Sequence, residues 1–279
     1  MAQWLHVPLI VSAVPGLGYI FLQRGRMQTF IQGLYKLAFY QQSVRVIFQN
    51  PDDRDYFVRQ RLVRKGQSAL VLGSGVDMQR FRPVAREAEG GEHGNTVKFG
   101  LISRMLWDKG IGEFVQAAHR LGTRYPYTSF ELVGDSDPGN PNAIPQAWLE
   151  KNINTPYLRW HGHVENIPEL LKTFDVVVLP SRYREGVPRS LVEGAAMGKP
   201  LITTDTPGCR EIVHHGENGL LVPPGSVGDL ERAMEQLLLD GNLCRRMGQT
   251  SRALAVQHFS DDTVVKQTLQ IYGLTPGQS

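Results

Sequence analysis

DVVVLPSRYREGVPRSLVEGAAMGKPLITT, residues 175–204, decides the fold. Its two ends, DVVVLP (175–180) and PLITT (200–204), are apolar at consecutive positions rather than alternate ones. Such runs suit strands buried on both faces of a parallel sheet. The residues between them predict one crossover helix over 188–197. Pro188 suits its first turn, and Gly198 with Pro200 ends it. Gly194, Ala195 and Ala196 are small where that helix must lie close on the sheet.

The same alternation runs outward in both directions. Strands are predicted at 7–14, 45–49, 68–73, 96–103, 129–134, 158–162 and 219–223, and helices at 29–42, 52–62, 111–124, 143–152, 166–173, 229–240, 243–257 and 261–272. Asn50-Pro51 supplies a cap and a fixed φ for the second helix. PVAREAEGGEHGN (83–95) has almost no apolar content and reads as a linker. The expected class is α/β: two Rossmann-like, doubly wound domains, the N-terminal one incomplete, divided near residue 90. In such sheets ligands bind beyond the carboxyl ends of the strands.

Composition narrows the class further. The chain has 279 residues, 41% hydrophobic and 20% charged, which suits a soluble globular protein and excludes disordered, collagenous and disulfide-scaffold classes. No apolar run approaches the ~20 residues of a bilayer span. The start, MAQWLHVPLIVSAVPG, lacks a basic leader and reads as a strand. Cys209 and Cys244 stand in no metal or redox spacing and read as free thiols in a reducing compartment. The net charge is +3, but residues 1–72 carry +6 and the remainder −3. A basic first quarter suits an anionic surface or a phosphate-bearing partner; the alternative is a solvated face.

Four loops after predicted strands carry candidate chemistry. In ISRMLWDKGIGEF (102–114), Arg104 and Lys109 flank a loop that opens a helix, with Gly110 and Gly112 beside them. Two cations at a helix N-terminus form a diphosphate site; the alternative is a pair of surface cations. In SRYREGVPRSLVEGAAMGKP (181–200), Glu185 precedes the helix and Glu193 lies within it beside apolar residues. A carboxylate there needs a partner, such as a vicinal diol; the alternative is a surface or capping pair. Thr206-Pro207-Gly208 and Glu211 form a sharp loop after the next strand, and Asn218-Gly219 a turn. In HGHVENIPELL (161–171), the backbone around Val164 is placed to read the edge of a base. His161 and His163 share a face but lack a third metal ligand. Asp135-Ser136-Asp137 reads as Asx-turn chemistry rather than a metal site.

In this order and with these gaps, the loops resemble the donor domain of retaining GT-B-fold glycosyltransferases, the family 4 or "group 1" type, from about Thr96 to about Tyr272. EGVPRSLVE is similar to the family's Glu-X7-Glu signature, and LGSGVDMQRF (72–81) to its connector. The flavour is that of bacterial surface-polysaccharide enzymes acting on lipid-linked acceptors. The resemblance implies a partial acceptor-side domain with linker over 1–90, a nucleotide-sugar donor domain over 91–260, and a C-terminal helix over 261–279 packing back on the first domain. It implies that Arg104, Lys109 and Glu185 serve catalysis, and that Val164, Ser190, Leu191 and Glu193 join them in binding the donor, with Glu193 on the ribose. Gly16, Gly18 and Tyr19 fall on the acceptor side. The implied reaction is retaining transfer from a nucleotide diphosphate sugar, with UDP the default, to a glycan or polyprenyl-diphosphate-linked acceptor.

No metal and no cofactor is implied, nucleic acid is not a partner, and the expected place is the cytoplasm, at the cytoplasmic face of the inner membrane. The basic segment 19–42, with Arg24, Arg26, Lys36, Phe30, Tyr35 and Phe39, suits that face; the alternative is a helix packing its apolar stripe on the sheet.

Two departures bear on these implications. Family members carry a complete N-terminal domain, of which this chain has about the second half. Many place a His after the strand matching VPLIVSAV, where this chain has Pro15-Gly16-Leu17-Gly18-Tyr19. The competing reading is a truncated, inactive nucleotide-diphosphate-binding module. An epimerase or phosphorylase of the same fold fits less well: the first would need different groups at the sugar, the second a pyridoxal lysine and a longer chain.

Overall fold

Runs rich in β-branched and apolar residues form the strands, most deeply buried at Val176–Leu179 and Leu201–Thr204, and all the strands among the described residues pair in parallel. The computed structural model describes residues 7–17, 26–84, 96–153 and 155–274. The first sheet holds β1 (Ile10–Val14), β2 (Val44–Phe48) and β3 (Ser68–Leu70) in the order β1-β2-β3. Its crossovers are α1 (Arg26–Ala38) and α2 (Pro51–Arg59). Asn50 caps α2 from an extended backbone, its side-chain oxygen accepting from Asp53 N at 2.8 Å. Phe57 of α2 meets Phe48 of β2 edge-on, ring centres 5.1 Å apart.

The second sheet holds β4 (Val97–Ile102), β5 (Thr128–Val133), β6 (Leu158–Trp160), β7 (Val176–Leu179), β8 (Leu201–Thr204) and β9 (Gly219–Val222). Their order is β6-β5-β4-β7-β8-β9. Strands added after β4 first run one way, then return to its other side at β7, so β4 and β7 flank a topological switch point. One face is covered by α3 (Ile111–Arg124), α4 (Gln146–Ile153) and α7 (Val227–Leu239) around Phe99, Leu101 and Phe130. The other is covered by α5 (Ile167–Thr173) and α6 (Arg189–Ala196) around Val177, Leu179 and Leu191. A Cβ added at Gly194 would lie 2.8 Å from Val177 Cγ2, so α6 sits as close to the sheet as its small residues allow. Pro188 stands outside the helix as its extended cap (φ −64°, ψ 123°) rather than within the first turn.

The two sheets are joined by more than the linker, of which residues 85–95 lie outside the described residues. Arg252 of α8 (Gly241–His258) donates to the carbonyls of Phe81 at 2.7 Å and Ala196 at 2.6 Å, holding the connector to α6. α9 (Asp261–Ile271) returns to the first sheet, where Val264 is buried with Ile47 and Val71, and Ile271 packs beside them.

The aromatic residues of segment 29–42 divide between two faces of α1. Tyr35 and Phe39 pack into the first core with Phe57, so they are not available to a surface. Met27, Phe30, Leu34 and Leu37 lie on a separate face and are 67%, 64%, 51% and 71% exposed. Arg24 lies outside the described residues.

Gly100 tests the packing of the second core. It sits in β4, and a Cβ there would fall inside the buried Phe174 ring, whereas one at Gly33 in α1 would meet nothing. Denaturant unfolding of Gly100→Ala is expected to show a loss of about 1–3 kcal/mol from overpacking. Gly33→Ala, in an open helical position, should instead gain about 0.5–1 kcal/mol.

Candidate functional site

The loops that leave β4 and β7 come together at the switch point. After β4 the chain makes a single 3-10 turn, Trp107–Lys109, and then opens α3. Gly110 closes the turn in the left-handed region (φ +75°), and a Cβ there would strike the Pro180 carbonyl. That close approach brings Lys109 opposite the loop after β7, where its Nζ lies 2.6 Å from Glu185 Oε2. Ser181, itself buried, donates to Glu185 Oε1 at 2.5 Å. Arg182 N donates to Asp108 O at 2.8 Å, a second tie between the loops. Both threonines at the end of β8 hold the base of the second loop: Thr203 donates to Leu179 O at 2.6 Å and Thr204 to Ser181 O at 2.5 Å.

The loop after β8 supports the arrangement from behind. Glu185 N donates to Pro207 O at 3.0 Å. Gly208 (φ +93°) lies against the backbone of Glu185 and Gly186, where a side chain would collide. Gly208 N donates to Glu211 Oε2 at 2.5 Å, so Glu211 caps its own loop. Burial pushes the Glu211 carboxyl above its usual range, and the Gly208 N–H opposes the shift.

A cleft of about 320 Å³ opens over these loops, lined by Arg104, Asp108, Lys109, Asn140, Asn142, Tyr183, Arg184 and Glu185 among others. Three cations face two carboxylates there. Arg104 is exposed and pairs at 2.7 Å with Asp137, the second acid of the Asp-X-Asp. Asp108 Oδ1 and Arg184 Nε are buried without a hydrogen-bond partner. Burial raises the Asp108 carboxyl above its usual range; Glu185 adds to the shift, and Lys109 and Arg104 oppose it. Such a cleft suits an anionic group flanked by hydroxyls.

Of the sequence-derived site residues, the structure brings Arg104, Lys109 and Glu185 into this one cleft. Glu193 does not line it. Its side chain is buried in α6, where Oε1 accepts from Arg189 Nε at 2.8 Å. Burial raises its carboxyl, with Arg189 and Arg80 opposing. Ser190 is half-buried in the first turn of α6, while Leu191 is core, its N–H donating to Pro188 O at 3.1 Å. Val164 packs against the second core cluster. His161 pairs with the buried Glu131 at 2.5 Å, and His163 lies 3.3 Å from Asp135. No trio of metal-ligating side chains occurs among the described residues. Gly16 abuts the Glu185–Gly186 peptide, and Gly18 and Tyr19 lie outside the described residues.

Sequence reasoning missed Asp108, Arg184, Asn50 and Asp53. Asp53 is wholly buried, and Arg184 Nη2 lies 2.7 Å from its Oδ1 across 131 positions. Asn50-Pro51 signalled only a helix cap, and no local pattern marks its second use.

A family model for "Glycosyl transferases group 1" matches residues 96–240, which include all six strands of the second sheet. An N,N'-diacetylbacillosaminyl-diphospho-undecaprenol alpha-1,3-N-acetylgalactosaminyltransferase of Campylobacter jejuni is 29% identical over 97% of this chain and 72% of its own length. The putative glycosyltransferase EpsD of Bacillus subtilis is 31% identical over 79% of this chain, which spans only 58% of that relative. Among solved structures, Anabaena HepE in complex with UDP and glucose superposes with a TM-score of 0.81 at 22% identity, covering 95% of this chain and 71% of that one. The fold is therefore that of the GT-B glycosyltransferases. With the family model matched across the whole second sheet and its cleft-forming loops, the chain belongs to the group 1 glycosyl transferases.

Proposed function

We propose that this protein transfers a sugar from a nucleotide diphosphate sugar, with UDP as the nucleotide, to a glycan or lipid-linked acceptor in bacterial surface-polysaccharide synthesis. The observation that carries the reading is the cleft at the switch point, where Arg104, Lys109 and Glu185 meet. The Campylobacter relative, named for an undecaprenol-diphosphate-linked substrate, and the UDP-bound Anabaena structure support the choice of acceptor and donor.

In the proposed reaction the bond from the anomeric carbon to the diphosphate oxygen breaks, the acceptor hydroxyl oxygen bonds to that carbon from the same face, retaining configuration, and its proton passes to the departing diphosphate oxygen. Arg104 and Lys109 stabilise the departing diphosphate. We infer that these cations carry the counter-charge that a divalent metal would otherwise supply to the diphosphate. Glu185 accepts from a hydroxyl of the donor sugar, and Glu193 from the ribose once Arg189 turns away.

We infer further that the exposed face of α1 lies on an anionic membrane. Its support is twofold: the apolar row of Met27, Phe30, Leu34 and Leu37 is exposed on α1, and the cations Lys36, Arg61, Arg64 and Lys65 line a cavity of about 460 Å³ with Phe39 and Tyr40, at the C-terminal end of that helix. No helix among the described residues is long and apolar enough to cross a membrane.

Calorimetry with UDP, GDP and UDP-sugars tests the nucleotide site. Arg104→Ala should weaken binding of UDP and of UDP-sugars by about 10–100-fold, the worth of a charge-assisted hydrogen bond, and Lys109→Ala should weaken binding of UDP-sugars by the same factor. Glu185→Ala should not weaken UDP binding, because it frees Lys109 for the phosphate, and should slow turnover of UDP-sugars. Tight UDP binding with no turnover of any UDP-sugar would instead favour the inactive nucleotide-binding module.

Glu193 gives opposite signs for binding and stability. Its carboxyl is raised in the folded chain, so the stability it contributes is present at low pH and is lost as pH rises through its folded value. Ionisation supplies the acceptor for ribose, so UDP affinity should rise over that same window. Both slopes should flatten in Glu193→Gln, measured by denaturant unfolding and calorimetry between pH 4 and 7.

Sedimentation with anionic phosphatidylglycerol vesicles tests the membrane face. The wild type should bind them and Phe30→Asp/Leu37→Asp should not; equal recovery of both in the supernatant defeats the idea.

A further inference from the structure

We propose that Asn50 and Asp53, on the first unit, are positioning residues for Glu185, on the second; this rests on Glu185 acting in the transfer site. Neither touches the cleft. Both are wholly buried, and both reach across to the loop after β7. Asn50 Nδ2 donates to Asp53 Oδ2 at 3.0 Å and to Glu185 O at 3.1 Å. Asp53 accepts from Leu17 N at 3.2 Å and pairs with Arg184 at 2.7 Å.

The choice of residue at position 50 is informative. Capping α2 needs only an oxygen, which Ser, Thr or Asp would supply. The amide adds a donor that none of those caps offers in the same place, and that donor is spent on Glu185. Asp53 gives the same message. A carboxylate this deeply buried is strongly disfavoured without a cationic partner, and its cationic partner lies on the other unit.

The backbone contact leaves little slack. A Cβ at Gly16 would sit 2.8 Å from Gly186 N, and one at Gly186 would strike the Pro15 carbonyl. The peptide that follows Glu185 is thus held by the first unit on one side. Its preceding N–H is held by Pro207 on the other. With both ends of residue 185 fixed, its carboxylate is aimed at Lys109 only while the two units are docked. The first unit in this way sets the geometry of the transfer site through buried residues that do not line the cleft.

Asn50→Ser tests this in the full chain, because serine keeps the cap and removes the amide donor. Hydrogen exchange is expected to speed up by about tenfold in residues 181–188, the loss of one buried hydrogen bond, with α2 and α7 unchanged. UDP-sugar turnover should fall about tenfold while UDP affinity stays within about twofold. Asn50→Ser added to Glu185→Ala should slow turnover no further, because the group being positioned is gone. Unchanged exchange in 181–188, or additive losses in the double variant, overturns the proposal. Should Asn50→Ser fail to fold, Asp53→Asn gives the same comparison through Arg184. Absence of UDP binding in the wild type would defeat the assigned reaction, and the exchange result would still decide whether the first unit holds this loop.

Discussion

The ion pair between Lys109 and Glu185 is the interaction on which the rest of the site depends. Its two members come from the ends of β4 and β7, the strands that flank the switch point. Both side chains are mostly buried, so either charge left alone would be strongly disfavoured. The pair therefore fixes how the two loops stand relative to each other. Ser181 on Glu185 and the close approach of Gly110 to Pro180 leave it a single geometry. Everything beyond it is support: the threonines of β8, the Pro207 loop, and the first unit through Asn50.

Strands such as β7, β8 and β9 were legible because strands buried on both faces of a parallel sheet favour near-continuous apolar and β-branched runs. Helix ends followed from Asn50-Pro51 and Gly198-Lys199-Pro200. Loop chemistry was legible only where residues close in sequence line the same cleft, as Arg104 and Lys109 do. The contact of Arg184 with Asp53 spans 131 positions and has no periodicity to announce it. Two apolar rows on α1 posed a different difficulty. Helical spacing shows that Tyr35–Phe39 and Phe30–Leu34 are rows, but which one meets the core is settled by where β2 and α2 place Phe48 and Phe57. Glu193, a carboxylate among apolar residues, called for a partner, and the one it takes here is Arg189, one turn earlier on its own helix.

On the proposed function, Arg104 and Lys109 stand differently toward an incoming diphosphate. The Arg104 pair with Asp137 is largely exposed, and such pairs contribute about 0–1 kcal/mol. Arg104 can exchange Asp137 for a phosphate oxygen at little loss. Lys109 cannot leave Glu185 so easily, because that would strip a mostly buried carboxylate of its counter-charge. A bare diphosphate is therefore drawn first to Arg104. A diphosphate carrying a sugar brings hydroxyl donors as well, and these compensate Glu185 as Lys109 turns to the phosphate. On the proposed function, the same pair that holds the loops together favours the intact donor over the spent nucleotide. The preference needs no further contact to the sugar, because it comes from the order in which buried charges are satisfied.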